Sequence, residues 1–250
     1  MQLVRRLIED NRILDSIQIN HILYLNQVMC GRYTQQQSTE IIAQTFQVDN
    51  VPPLKPRYNI APTQSVATIL QTSTDRQFKM LHWGLIPSWA KDTKISSKLI
   101  NARAETVAEK PSFRSAFRQR RCLILADGFY EWQQQQDKQK QPFYFRMSEQ
   151  RPFAFAGLWE HWHEQETGKT IESCTIITTE PNELMKSVHN RMPVILEQKD
   201  YDLWLDPEVK KSELLQPLLK PYPAEEMTAF AVSRAVNKPS NDTAECINSI

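Results

Sequence analysis

Glycine is scarce in this chain of 250 residues, with five in all, at positions 31, 84, 128, 157 and 168. Ordinary usage is ~7%, so each is expected to hold a backbone position that no other residue could fill, with Gly168 alone looking like an ordinary turn. Cysteine is also sparse. Cys30, Cys122, Cys174 and Cys246 are widely scattered and show none of the paired spacings of a zinc site or disulfide framework, which points to a reducing cytoplasm. Long apolar runs are missing as well. No segment approaches the ~18 consecutive apolar residues of a membrane span, and acids interrupt the basic face of residues 1–28, which argues against a secretory or transit peptide. Lys plus Arg exceed Asp plus Glu by only one, giving a net charge of +1. Bulk electrostatic attraction to nucleic acid or membrane is thereby excluded, and any basic site must be local.

What is present begins with Met29-Cys30-Gly31-Arg32-Tyr33. If translation starts at Met29, removal of the initiator leaves Cys30 with a free α-amine beside its thiol. The amine titrates near ~8 and the thiol near ~8.5, so both nucleophiles are available near neutral pH. An aldehyde would be captured twice, first as a Schiff base and then as a five-membered thiazolidine closed by sulfur. A buried structural cysteine is the alternative that residue type alone favours.

The apolar pattern places an amphipathic helix within residues 1–28 and a short helix over Thr39–Phe46, capped by Ser38 or Thr39. Prolines around Arg57–Pro62 predict a rigid, irregular wall rather than a central strand. Strands are expected at Val66–Leu70, Phe78–Trp83, Cys122–Ala126, Ser173–Thr179 and Phe230–Ser233, with Pro142–Met147 and Phe153–Trp159 as a hairpin or meander. Helical structure is expected after Asn101–Glu105 and over Pro181–Val188, Tyr201–Leu205 and Ser212–Leu219. Trp83 and Trp89 flank a turn, where aromatic faces can stack on bases. Arg114 and Arg118, one helical turn apart, form the best local basic patch. Glu131 lies between Tyr130 and Trp132, where desolvation can tune a carboxyl for proton transfer. His189 can exchange a proton near neutrality. His161 and His163 have no third spaced ligand, so no metal is assigned.

Eight segments, in order, resemble the SRAP (SOS response-associated peptidase) family of abasic-site processing proteins. They are Met29–Tyr33, Arg57–Pro62, Trp83–Pro87, Asn101–Glu105, Gly128–Trp132, Gly157–Glu160, Thr178–Thr179 and His189–Pro193. The resemblance implies an α+β fold, a compact single domain built on a bent, barrel-like mixed β-sheet with surrounding helices and a groove for single-stranded DNA. It assigns Cys30 to the thiazolidine cross-link with an abasic site, Glu131 and His189 to proton transfer, and Asn101 to orienting the adduct. Arg32, Arg103 and Arg191 would hold phosphates, Asn59 and Thr178 would add neutral contacts, and Trp83 would stack on a neighbouring base. It implies abasic single-stranded DNA as the partner, a self-processing peptidase and lyase-type chemistry, a monomer in the cytoplasm, and no cofactor, metal or membrane.

One departure stands out: the family pattern begins at the Met-Cys pair, whereas 28 residues precede Met29 here. An amide nitrogen cannot form a Schiff base, so the reading expects either a start at Met29 or removal of the extension. The chain divides accordingly into an extension at 1–28, a domain at 29–240 and a tail at 241–250. Two other classes remain open on the sequence, a passive single-stranded nucleic-acid binder with a structural Cys30, and a cysteine hydrolase using Cys30 and His189.

Overall fold

The computed structural model describes residues 31–72, 74–137, 139–164 and 168–250. The amphipathic helix expected within 1–28 and the Met29-Cys30 pair lie outside the described residues. The chain runs through β1 (Tyr33–Gln35), α1 (Thr39–Phe46), β2 (Arg57–Ile60), β3 (Ser65–Gln71), β4 (Arg76–Trp83), β5 (Asn101–Arg103) and α2 (Arg114–Gln119). It continues through β6 (Arg121–Ala126), β7 (Gly128–Gln134), β8 (Lys140–Met147), β9 (Phe153–His163) and β10 (Thr170–Thr179). The last elements are β11 (Met192–Pro193), β12 (Ile195–Leu196), α3 (Tyr201–Leu205), α4 (Ser212–Leu215) and β13 (Met227–Ala231).

The strands form two sheets. One is five-stranded in the order β13-β8-β7-β1-β2, antiparallel throughout. The other is mixed and eight-stranded, in the order β11-β10-β4-β3-β6-β9-β12 with β5 beside β10. Because β9 also pairs with β10, strands β10, β4, β3, β6 and β9 close into a ring. This is the barrel-like mixed sheet expected above, with its parallel contacts at β10–β4 and β10–β5.

Strand alternation sends the ring's side chains into two cores. Ala67, Ile69, Leu123, Leu125, Ala156 and Ile177 face outward, where α1, α2, α3 and α4 cover them with Ile42, Phe46, Phe117, Trp204 and Leu215. Val66, Leu70, Trp83, Ile124, Phe155 and Ile176 face the other way and meet Tyr33, Phe129 and Phe145 of the five-stranded sheet. A small third core, with Tyr130, Tyr144, Val232, Val236 and Cys246, lies under the C-terminal segment.

Local signals explain most of the elements. Ser38 caps α1 by accepting from the Ile41 amide, and β6 is buried along its whole length. Four segments differ from expectation. Arg57–Ile60 is a strand rather than an irregular wall, tolerated at the edge of its sheet, where a proline-flanked strand can lie. Strands β8 and β9 belong to different sheets and form no hairpin, because each finds longer partners, β7 for one and β6 and β10 for the other. Asn101–Arg103 pairs with β10 as a strand and runs into turns. The segment 183–188 is a series of turns, with the Asn182 amide drawn to the Tyr222 carbonyl at 2.7 Å while its own oxygen accepts from the Met185 amide at 3.0 Å.

Scarce glycine is placed where bulk is forbidden. A Cβ at Gly128 would stand 2.1 Å from the Tyr144 hydroxyl, and Gly84 has φ of +137° with its Cβ position 2.7 Å from the Ser96 carbonyl. Gly128→Ala is therefore expected to destabilise the fold by about 1–3 kcal/mol through overpacking, read as a lowered urea midpoint. An unchanged midpoint would contradict this packing.

Candidate active site

Glu131, Asn101 and Arg103, from two of the SRAP-like segments on two sheets, turn toward the layer between those sheets. On β7, Glu131 shares a face with Phe129, which is in the inter-sheet core, and it is 3% exposed. From the opposite sheet, Ala102 turns toward the helix-covered core, so Asn101 and Arg103 turn toward the inter-sheet side. They pair in parallel with Ile176 and Thr178 of β10. The Gln133 side chain donates to the Ser187 carbonyl at 2.8 Å, which fastens the end of β7 to the turn that carries His189.

His189 is buried, and its Nδ1 accepts the Arg191 amide at 3.2 Å. The neutral ring therefore carries its proton on Nε2. Burial pushes its pKa below the ordinary histidine value, and the charges of Lys140 and Arg191 act in the same direction. At neutral pH this is an uncharged imidazole that donates from Nε2. Arg191 is held by the Glu105 carboxylate and by the Thr178 carbonyl at 2.6 Å.

Four expected DNA contacts sit differently from the sequence reading. Trp83 is fully buried, with its indole nitrogen donating to the Ile100 carbonyl at 2.9 Å and its ring edge-on to Tyr33 at 5.3 Å. It offers no face to a base. Asn59 is also fully buried, and its amide donates to the carbonyls of Val236, Lys238 and Asn241 at 3.0, 3.1 and 2.8 Å. Arg32 donates to the Asn59 amide oxygen and to the carbonyls of Val236 and Asn237. Thr178 is buried, its hydroxyl toward the Ala102 carbonyl. Arg32 and Asn59 thus fasten the C-terminal segment, with Asp242 completing the latch by accepting from the Tyr58 and Asn59 amides and the Arg57 side chain. Arg103 is partly exposed.

The family model for "SOS response associated peptidase (SRAP)" matches residues 29–239. The chain belongs to the SRAP family. It is 46% identical over 224 residues to the abasic site processing protein YoqW of Bacillus subtilis, an alignment that takes in all of YoqW and 88% of this chain. It is 34% identical to the abasic site processing protein HMCES of Xenopus tropicalis, covering 78% of this chain and 67% of HMCES. Among solved structures, a Bacteroides thetaiotaomicron protein superimposes with a TM-score of 0.79 at 28% identity, over 88% of this chain and all of that one.

Within this SRAP domain, sequence reasoning passed over residues that the geometry brings to the site. Glu105 ended a quoted motif, yet the alternation rule gave no sign that it would reach Arg191. Lys140 belonged to none of the motifs, and its charge acts on His189 from the start of β8, where it pairs with Gln134 of β7. Among the described residues, no group of three His, Cys, Asp or Glu side chains could hold a metal ion.

Two measurements follow. Asn59→Ala would delete the hydrogen bonds from the Asn59 amide to the Val236, Lys238 and Asn241 carbonyls and the one its oxygen accepts from Arg32, and a loss of about 1–3 kcal/mol is expected in urea unfolding; a neutral effect would remove the latch. For His189, the unfolded chain takes up a proton near ~6.5 while the folded chain resists it. The unfolded state then binds more protons as pH falls through that value, so stability falls with it. His82, whose pKa is also lowered by burial, adds the same sign. The depressed carboxyls Glu105 and Asp242 act only at lower pH. Thermal midpoints should drop from pH 7.5 to 5.5 and His189→Gln should flatten that drop; an equal slope in the variant would contradict the buried neutral ring.

Proposed function

We propose that this SRAP protein acts in the DNA damage response by binding single-stranded DNA and capturing the aldehyde of an abasic site through Cys30 as its N-terminal residue. The α-amine adds to C1′ of the ring-opened sugar, and the carbinolamine loses water to a Schiff base. The Cys30 sulfur then adds to the imine carbon while its proton passes to nitrogen, closing a thiazolidine with one water lost overall. Glu131 moves the protons, and the neutral His189 donates a hydrogen bond from Nε2 to the sugar oxygen, stabilising the charge that builds there as the ring opens. Asn101 orients the adduct, and Arg103 and Arg191 receive phosphates.

The observation that carries this reading is the register of β1 on β7. Tyr33 pairs with Phe129, and the Tyr130 amide donates to the Arg32 carbonyl at 3.0 Å. Gly31 therefore stands at the level of Glu131, and Cys30 is the residue joined to Gly31. Two findings favour a free amine on Cys30. The family match begins at Met29, and YoqW in full aligns with only part of this chain. The same reading includes self-processing as the peptidase activity, a lyase outcome when the Schiff base is not trapped, and a monomer working in the reducing cytoplasm.

The decisive test compares the 250-residue chain with a protein beginning at Cys30, each mixed with a single-stranded oligonucleotide bearing one abasic site. Intact mass should show a stable adduct only with the free Cys30. Cys30→Ala should leave a borohydride-trappable Schiff base and strand cleavage in place of the adduct. Glu131→Gln and His189→Gln should slow adduct formation by ~10²–10⁴-fold. A stable adduct formed by Cys30→Ala at the wild-type rate would overturn the chemistry. Binding without any adduct would favour the passive binder, and turnover of peptides without DNA would favour the cysteine hydrolase.

A further inference from the structure

Glu105 lies two residues beyond Arg103, where β5 runs into turns, and half of its side chain is exposed. Its carboxylate takes the Arg191 guanidinium end-on. Nη1 donates to one oxygen and Nη2 to the other, the latter at 2.9 Å. Arg191 is fixed from behind, since its Nη2 also donates to the Thr178 carbonyl at 2.6 Å and only 14% of its side chain is exposed. Against the upward push of burial, hydrogen bonds from Arg191 and the charges of Arg191 and Arg103 hold the Glu105 carboxyl below its usual range. One carboxylate thus serves two arginines, and of the pair with Arg191 the anion is the more accessible partner.

The two oxygens of a carboxylate and two oxygens of a phosphodiester present similar acceptor pairs to a guanidinium fork. An ion pair with a half-exposed partner adds little to stability, because water and salt compete for it. Releasing Glu105 therefore costs the fold little, while the arginine stays in place. We propose that Glu105 is an exchangeable counter-anion that occupies Arg191 in the empty site and yields it to a strand phosphate. This rests on the reading that DNA phosphates reach Arg191. The consequence is that binding is tempered at the site itself. A strand must displace an internal anion before it gains the arginine, and a neutral ligand has nothing to displace it with.

The test is equilibrium binding of an undamaged single-stranded oligonucleotide to the 250-residue chain, so that no covalent step intervenes, at low and high salt. Glu105→Gln keeps an acceptor for Arg191 and removes the charge. It should bind DNA about threefold to tenfold more tightly at low salt, with the gain shrinking as salt screens the site. Glu105→Ala should shift affinity in the same direction, which guards against an effect peculiar to the amide. In an Arg191→Ala background, Glu105→Gln should lose most of its gain, as coupled partners do in a double-mutant cycle. Equal or weaker binding by both Glu105 variants would overturn the proposal, as would a gain that persists undiminished without Arg191. Absence of salt-dependent DNA binding by the unsubstituted chain would instead overturn the reading of the site, and this proposal with it.

Discussion

The structure depends on holding three residues, Tyr33–Gln35, between β2 and β7 with Tyr33 opposite Phe129. So short a strand contributes few ladder hydrogen bonds, and it is pinned by side chains at both ends. At its far end the buried Asp127 carboxylate accepts from the Thr34 hydroxyl and from the Gln36 amide at 2.5 Å, and Thr34 in turn contacts the Tyr144 hydroxyl at 2.9 Å. Burial pushes the Asp127 pKa up, although these hydrogen bonds favour the charged form. At its near end Arg32 is tied through Asn59 to the C-terminal segment. A one-residue slip would reverse every side chain of the strand, taking Tyr33 out of the core and moving Gly31 away from Glu131.

Electrostatically, the site is largely self-contained. Arg32 spends its donors on carbonyls, Arg191 on a carboxylate, and His189 is kept neutral by burial. Even the Glu160 of a family motif, 6% exposed in its side chain, is committed to Arg120 at 2.8 Å. With a net charge of +1, the molecule presents no broad field to nucleic acid, and affinity must come from groups that rearrange or become exposed locally. Arg103 is the arginine of the assigned set that fits this requirement without rearrangement.

Much of this was legible in the sequence because it rests on local rules. Continuous apolar character marked β6 as buried, Ser38 announced α1, and Gly84, Gly128 and Gly157 marked close approaches. The motif order identified the family, and with it the barrel-like mixed sheet. What stayed hidden depends on contacts far apart in the chain. Trp83 at the end of an alternating strand beside a Gly-Pro turn looks the same in sequence whether its ring is buried or bare. The role of Asn59 is set by carbonyls more than 170 positions away. No periodicity encodes such a contact. The hairpin expected from β8 and β9 failed for a related reason, since adjacency in sequence does not reveal which of two sheets offers the longer partner.

The latch between Arg32, Asn59, Arg57 and residues 236–242 also has a consequence in time. A chain is synthesised from its N-terminus, so β1 and β2 leave the ribosome long before Asp242 and the carbonyls of Val236 and Asn237 exist. Until those last residues emerge, Asn59 has no partners for its amide and the strand that leads to Glu131 lacks one of its two anchors. Fixing the register of β1 is thereby coupled to completion of the opposite end of the chain, and a prematurely terminated chain would carry β1 and β2 without the segment that latches them.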